Sequence, residues 1–206
     1  MRRDATQPAR QEFLSHVSDP FELFLEWMQE AEAAEPNDPN AVALATATSD
    51  GTPSVRMVLM KKVEGQGFCF YTNSESQKGQ ELAENPQASM CFHWKSLRRQ
   101  VRISGVVSEL PPEDADAYFH SRSRGSQRAA LASRQSRPLK SRGLLEVMVH
   151  EYELAYPDQI PRPPHWKGYS LKAQRIEFWQ DRRDRMHDRV VFQHTAEGWS
   201  KTLLYP

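Results

Sequence analysis

Two tight turns, Asp50-Gly51 and Gly65-Gln66-Gly67, separate three β-prone runs early in the chain. They constrain the fold more than any other feature. A turn this short returns a strand beside its predecessor, so the runs at 41–48, 54–63 and 68–72 read as an antiparallel meander. Two more strands are expected at 88–94 and 99–110. Residues 76–85 look helical and stop at Pro86. An earlier helix opens at Asp19-Pro20, with Asp at the N-cap and Pro in the first turn. Phe21, Phe24, Leu25 and Met28 follow at helical spacing up to Glu35-Pro36. Helical character returns at 111–120, 127–133 and 139–156, a Pro-rich connection covers 157–164, and strands resume at 166–180, 184–194 and 198–204. Strands, then helices, then strands predict a mostly β fold, an antiparallel barrel with helices packed outside. Residues 1–18 are polar and aperiodic and read as a mobile arm, leaving 19–206 as one domain. None of the nine glycines forms Gly-x-Gly-x-x-Gly, which removes a Rossmann reading.

Charge narrows the function classes. The chain has 27 basic and 27 acidic residues and no net charge, which argues against a general nucleic-acid or membrane-surface binder. Cys69 and Cys91 lie in apolar runs and form no metal spacing, so buried inert thiols are expected. No apolar run approaches the ~20 residues of a membrane span, and the N-terminus lacks a signal peptide's apolar core. The expectation is a reducing, cytoplasmic setting.

The basic residues are clustered, which keeps local anion sites open. In Arg185-Met186-His187-Asp188-Arg189, a strand would project Arg185, His187 and Arg189 from one side, either toward an anion or as charges guarding a sheet edge. In 56–61 an apolar run lies between Arg56 and Lys61. Alternation puts these two on opposite faces, so a bulge re-aims one of them, or they serve two groups, or both are strand-end charges. Tyr71-Thr72-Asn73-Ser74-Glu75-Ser76-Gln77-Lys78 runs from a strand end to a helix start, which suits a phosphate or simply an N-cap. Tyr118 and Arg122 share a helical face, and Ser126 joins them if the helix continues through Gly125. That trio suits a phosphate monoester; the plain alternative is a helix C-terminus. Arg134-Gln135-Ser136 and Gln100 supply amides fit for heteroaromatic edges. No catalytic triad or metal-ligand spacing is present in the sequence, so a planar, phosphorylated ligand and a cofactor that carries the hard chemistry fit best.

In order and spacing these clusters resemble the pyridoxine/pyridoxamine 5′-phosphate oxidase family. The matching stretches are 56–61, 71–78, Arg99-Gln100-Val101, 118–126, Gln135-Ser136 and Glu177-Phe178-Trp179-Gln180 through Arg189, within a likeness running from Asp19 to Pro206. The resemblance implies an FMN-binding split β-barrel, antiparallel and homodimeric, with FMN at the subunit interface. It also implies oxidation of pyridoxamine or pyridoxine 5′-phosphate to pyridoxal 5′-phosphate, with O2 reduced to H2O2. By position, FMN contacts would be Arg56, Met57, Val58, Leu59, Met60, Lys61, Tyr71, Thr72, Gln77, Lys78, Gln100, Gln135, Ser136, Trp179 and Arg189. Substrate contacts would be Lys61, Tyr118, Arg122, Ser126, Arg185 and His187, the last two acting over the pyridine ring by positioning and electrostatic stabilisation. The chain departs from the family pattern at Gln77, where many members carry Arg, at Thr6, where a Tyr is expected beside Arg3, and at Lys167, where a second Gly is common. Two alternatives stay open: a relative acting on a phenazine-type precursor, and a flavin- or pyridoxal-phosphate-binding protein with weakened catalysis.

Overall fold

The computed structural model describes residues 17–206. Helix α1 (Pro20–Ala34) begins as its sequence dictates: Asp19 accepts from the Phe21 amide at 2.8 Å, and Pro20 takes the first turn. Phe21, Leu23, Phe24, Trp27, Met28 and Ala31 are buried. Leu25, expected on that face, is 54% exposed, because the apolar stripe centres on Phe24, Trp27, Met28 and Ala31 and Leu25 lies one step past it. Phe24 packs its ring 4.9 Å from Phe68 and 5.2 Å from Phe92, so α1 seats on the sheet core. A fully buried Phe so placed is worth ~3–5 kcal/mol against Ala.

The strands are β1 (Ala41–Ala47), β2 (Pro53–Glu64), β3 (Gly67–Asn73), β4 (Gln87–Trp94), β5 (Arg99–Glu109), β6 (Trp166–Gln180), β7 (Asp188–Thr195) and β8 (Gly198–Leu203). Every pairing is antiparallel, in the order β3-β2-β1-β4-β5-β6-β7-β8, and an added β3–β6 pairing closes six strands into a barrel. Strand β6 forks. One edge holds β5; the other pairs Trp166 to Lys172 with β3, then Arg175 to Gln180 with β7. The barrel is split at that fork, and β7 and β8 hang outside it. Val101, Ile103, Ile176 and Phe178 alternate inward and fill the centre.

Helices α2 (Gln77–Glu84), α3 (Pro112–Ser121), α4 (Arg124–Ala132) and α5 (Arg142–Ala155) complete the fold. Ala115, Phe119, Ile160 and Trp166 form a second, smaller core between α3 and the start of β6.

Two expectations need correction, and one condition left open is decided. Strand β7 starts at Asp188, not 184: Arg183–Arg185 is a 3-10 turn in which Asp184 (φ 55°) and Arg185 (φ 61°) are left-handed. Arg185, His187 and Arg189 are therefore not presented from one strand. The helix carrying Tyr118 and Arg122 does not continue through Gly125; Arg122 caps α3, and Ser123 starts α4 by accepting from the Ser126 amide at 3.3 Å. Cys69 is buried, but Cys91 is only half-buried; both are free. The arm, with Arg3 and Thr6, lies outside the described residues except for Val17 and Ser18. Val17 packs on the barrel core, and its carbonyl accepts from Lys201 Nζ at 3.0 Å. Among the described residues no helix is long and apolar enough to cross a membrane, and no His, Cys, Asp and Glu group could hold a metal.

Candidate functional site

A cavity of about 450 Å³ opens where β2, β3, α3 and α4 meet. Its lining includes Met57, Val58, Leu59, Lys61, Tyr71, Thr72, Lys78, Tyr118, Arg122, Ser126 and Gln135, all expected from sequence, together with Ser123 and Trp166, which were not. Lys61 arrives there by a bulge. The β2–β3 register pairs Met60 with Phe70 and then Lys62 with Cys69, leaving Lys61 out of the ladder, with its Nζ 5.7 Å from the Tyr118 ring centre.

Arg122 is the cavity's most constrained cation. Its guanidinium lies 5.1 Å from the Trp166 ring, and its buried Nη1 has no hydrogen-bond partner among the described residues. Burial pushes its pKa down, which marks an under-solvated charge. Trp166 is itself stacked on Tyr71 (5.3 Å, 9°), and Tyr71 on Tyr118 (4.2 Å, 23°). Gly168 allows this stack to reach β6, since a Cβ there would lie 2.8 Å from Tyr71 Cε1. Ser126 meets Arg122 by the new helix start rather than by helical continuation, and Ser123 Oγ donates to Ser126 Oγ at 2.9 Å.

A second anion feature sits at the start of α2. Ser76 caps the helix, accepting from the Gly79 amide at 3.4 Å, and Gly79 is required because a Cβ would lie 2.3 Å from the Ser74 carbonyl oxygen. Lys78 Nζ donates to Gln135 Oε1 at 2.8 Å and to Ser76 Oγ at 3.3 Å. Burial, then the nearby Arg56 charge, lowers Lys78 to about 8. Ser136 Oγ accepts from the Gln77 amide at 3.2 Å. Arg56 and the Gln77 side chain turn elsewhere: Gln77 Nε2 donates to Glu81 Oε1 at 2.9 Å, and Arg56 Nη2 lies 3.4 Å from Glu81 Oε2. Burial favours the neutral form of Glu81, but hydrogen bonds from Ser54, Thr46 and Gln77, with the Arg56 charge, outweigh it and hold the carboxyl below its ordinary value. Met60 differs from its neighbours on β2: its side chain is 5% exposed within the barrel core, and its backbone amide and carbonyl both bond Asn40.

Of the remaining expected residues, Gln100, Trp179, His187 and Arg189 form a separate cluster, and Arg185 stands exposed in the turn that precedes β7. Gln100 pairs with Trp179 in register, and Trp179 with Arg189. His187 lies against Trp179, ring centres 4.7 Å apart. Arg189 donates through Nε (3.0 Å) and Nη2 (2.8 Å) to Glu177 Oε1, and through Nη1 to the Tyr205 carbonyl (2.9 Å). Glu177 is 1% exposed and also receives Arg102 and Arg175. Burial alone would raise its pKa, but these arginines bring it below the usual carboxylate range. His187 and Arg189 line a different cavity, with Met186, Leu203 and Tyr205. Trp166 and Trp179 stand at opposite ends of β6, a strand whose extended length is roughly 45 Å. One chain therefore does not bring Arg185 and His187 to Tyr118, Arg122 and Ser126. The carboxylates Glu81, Glu177 and Asp181, which lies beside His187, escaped sequence reasoning. Lys167 points away from both clusters and pairs with Glu109 at 2.7 Å.

A family profile described as pyridoxamine 5′-phosphate oxidase matches residues 28–156, and one described as the pyridoxine 5′-phosphate oxidase C-terminal dimerisation region matches 166–206. The chain is 56% identical over 191 residues to a pyridoxine/pyridoxamine 5′-phosphate oxidase of Rhizobium johnstonii, covering 91% of this chain and 93% of the relative. It is 53% identical over 199 residues to one from a Chelativorans species, covering 96% and 95%. Among solved structures, PhzG from Burkholderia lata, in complex with tetrahydrophenazine-1-carboxylic acid, superimposes with a TM-score of 0.90 at 35% identity, covering 98% of each chain. A pyridoxamine 5′-phosphate oxidase-related, FMN binding protein from Nostoc punctiforme shares the fold, with a TM-score of 0.74 at 17% identity over 92% of this chain and 100% of that one.

Proposed function

The chain belongs to the pyridoxamine 5′-phosphate oxidase family, and on that premise we propose that it is an FMN-dependent oxidase converting pyridoxamine and pyridoxine 5′-phosphate to pyridoxal 5′-phosphate, with O2 reduced to H2O2. The observation that carries the substrate class is the Arg122 guanidinium, buried at Nη1 beside Tyr118 and Ser126 without a partner among the described residues. A phosphate monoester supplies the missing acceptor. A substrate without a phosphate leaves that cation unpaired, at a cost of ~1–3 kcal/mol or more. This favours the phosphorylated vitamer over a phenazine-type compound.

Lys78, with Ser136 and Gln135 beside it, fits the second phosphoester, that of FMN, and its depressed pKa suits a site that lacks its anion. When bound, the flavin takes two electrons from the substrate and passes them to O2. The chain's own groups bind and orient. Tyr118, Arg122 and Ser126 grip the substrate phosphate, Lys61 reaches the ring, and Met57, Val58 and Leu59 wall the flat cofactor. We infer a homodimer in which a second copy brings its Gln100, Trp179, Arg185, His187 and Arg189 to this cavity. The dimerisation-region match supports it, as does the apolar stripe on β2, where Val55 is 67% and Met57 62% exposed. Two free thiols suit a cytoplasmic setting.

The test is a visible spectrum. The purified protein should be yellow, bleach anaerobically with pyridoxamine phosphate, and release peroxide in air. A folded, FMN-loaded protein giving no peroxide with either substrate overturns the assignment, and flavin that stays unbleached points to a carrier.

A further inference from the structure

His187 is held by more than its place in the chain. Its ring plane is set against the Trp179 indole, at 46° and 4.7 Å. Its Nδ1 accepts a hydrogen bond from the Arg182 amide at 3.1 Å and also lies 3.1 Å from Asp181 Oδ1, close enough for the charge-assisted and stronger bond once Nδ1 carries the proton. One nitrogen cannot serve both: it donates to the carboxylate when it carries a proton and accepts from the amide when it does not. The choice decides what Nε2, the ring nitrogen left over, presents outward. Asp181 is well anchored for this task. It forms an ion pair with Arg98, its own amide donates to the Arg98 carbonyl at 3.0 Å, and Gln180 Nε2 donates to the Leu97 and Arg98 carbonyls at 3.3 and 3.2 Å. Arg182, the neighbouring cation, is drawn to Asp188 at 2.6 Å. Asp181 and His187 side chains are 15% and 21% exposed, so water competes weakly for their contact.

We propose that Asp181 is a positioning residue for the oxidation: it keeps the His187 proton on Nδ1 and turns Nε2 to the substrate as an acceptor. This rests on the functional reading above, in which His187 meets the substrate. Without the carboxylate, the Arg182 amide donates to Nδ1, the proton moves to Nε2, and Nε2 becomes a donor where the same partner needs an acceptor. The pair lies outside the α3–α4 cavity and touches neither phosphate grip, so its effect falls on ring orientation rather than on ligand capture.

The experiment uses 15N-labelled, FMN-loaded protein, with the His187 ring nitrogens read by NMR and assigned by their loss in His187→Gln. Wild type should show the Nδ1-protonated tautomer, and Asp181→Ala the Nε2-protonated one. Asp181→Ala should lower kcat by ~10- to ~100-fold, with little change in KM or flavin content, and Asp181→Glu should restore part of the loss. Asp181→Asn, nearly isosteric, replaces the alanine variant if that one folds poorly. Arg98→Ala, which removes the anchor but leaves the carboxylate, should keep the wild-type tautomer and most of kcat. An unchanged tautomer in Asp181→Ala overturns the proposal, as does an equal loss of kcat in Arg98→Ala with the wild-type tautomer intact. The two readings fail separately. A wild type without peroxide release whose tautomer still follows residue 181 defeats the oxidase reading and upholds Asp181's hold on His187. An active wild type that needs His187 but tolerates Asp181→Ala defeats the positioning role alone.

Discussion

Arg122 and Arg189 receive opposite treatment from the same fold. Arg189 is saturated: three donor nitrogens find Glu177 or the Tyr205 carbonyl. Arg122 rests on an indole with Nη1 buried, and among the described residues Nη1 is unbonded and no carboxylate pairs with the guanidinium. A cation whose counter-ion is built in is part of the scaffold and is held in one place. A cation without one makes the ligand-free fold less stable and becomes satisfied only when an anion arrives. On the proposed function, the α3–α4 cluster serves as the phosphate grip and the Trp179–Arg189 cluster as a wall brought to it by a second copy.

The contrast is sharpest in substrate capture. Arg122→Met should raise KM for pyridoxamine phosphate ~100-fold, the loss of ~2.7 kcal/mol of charge-assisted bonding; an unchanged KM in the peroxide assay would break it. Next in size is the pH dependence of cofactor binding. Lys78 titrates near 8, so its charge is present below that pH and lost above it. FMN affinity, followed by flavin fluorescence quenching, should be flat up to about pH 7 and weaken about tenfold by pH 9. Lys78→Met should abolish that slope. The same depression has a folding counterpart: the unfolded chain holds this proton up to 10.5, so the ligand-free protein gains stability as pH rises from about 8 toward 10.5.

A mixed dimer tests whether the two clusters come from different chains. Arg122→Ala and His187→Ala each disable a different half. Assayed at substrate far below the raised KM, random pairing of the two chains makes half of the dimers mixed, each with one intact site, so activity should return to about a quarter of wild type. No recovery would mean that both halves act within one chain. The smallest effects are thermal. Without ligand, Arg122→Met should raise Tm by roughly 2–4 °C, and Arg189→Met should lower it by a similar amount, because one relieves an unpaired charge and the other strips a partner from a buried carboxylate. Glu109→Gln, at an exposed ion pair outside both clusters, should move Tm by less than about 1–2 °C.

What could be read from the sequence follows how local each cause is. The Asp19-Pro20 cap, the glycine turns and Ser76 act within a few residues, and the elements they define stand where expected. The Tyr118, Arg122 and Ser126 trio was legible although its helix breaks, because the break is itself a new helix start at Ser123. The left-handed turn at Asp184 and Arg185 was not, since neither residue is a glycine that would announce it. Glu81 answers Ser54 and Arg56 from a separate helix, and Glu177 answers Arg102 from a neighbouring strand, so these pairings exist only after folding. Trp166 looked like any aromatic at the head of a strand; its place under Arg122 depends on α3 crossing it.

The fork in β6 also sets how the molecule breathes. Beyond Lys172 the strand leaves β3, and β7 joins the sheet by six register pairs with Val190 and Phe192 buried in the core, while β8 pairs with β7 at the outer edge. Strand β8 can fray without opening the cylinder, so its amides should exchange with deuterium sooner than those of β4 and β5. Clamping the β7–β8 ribbon between two chains should slow that exchange.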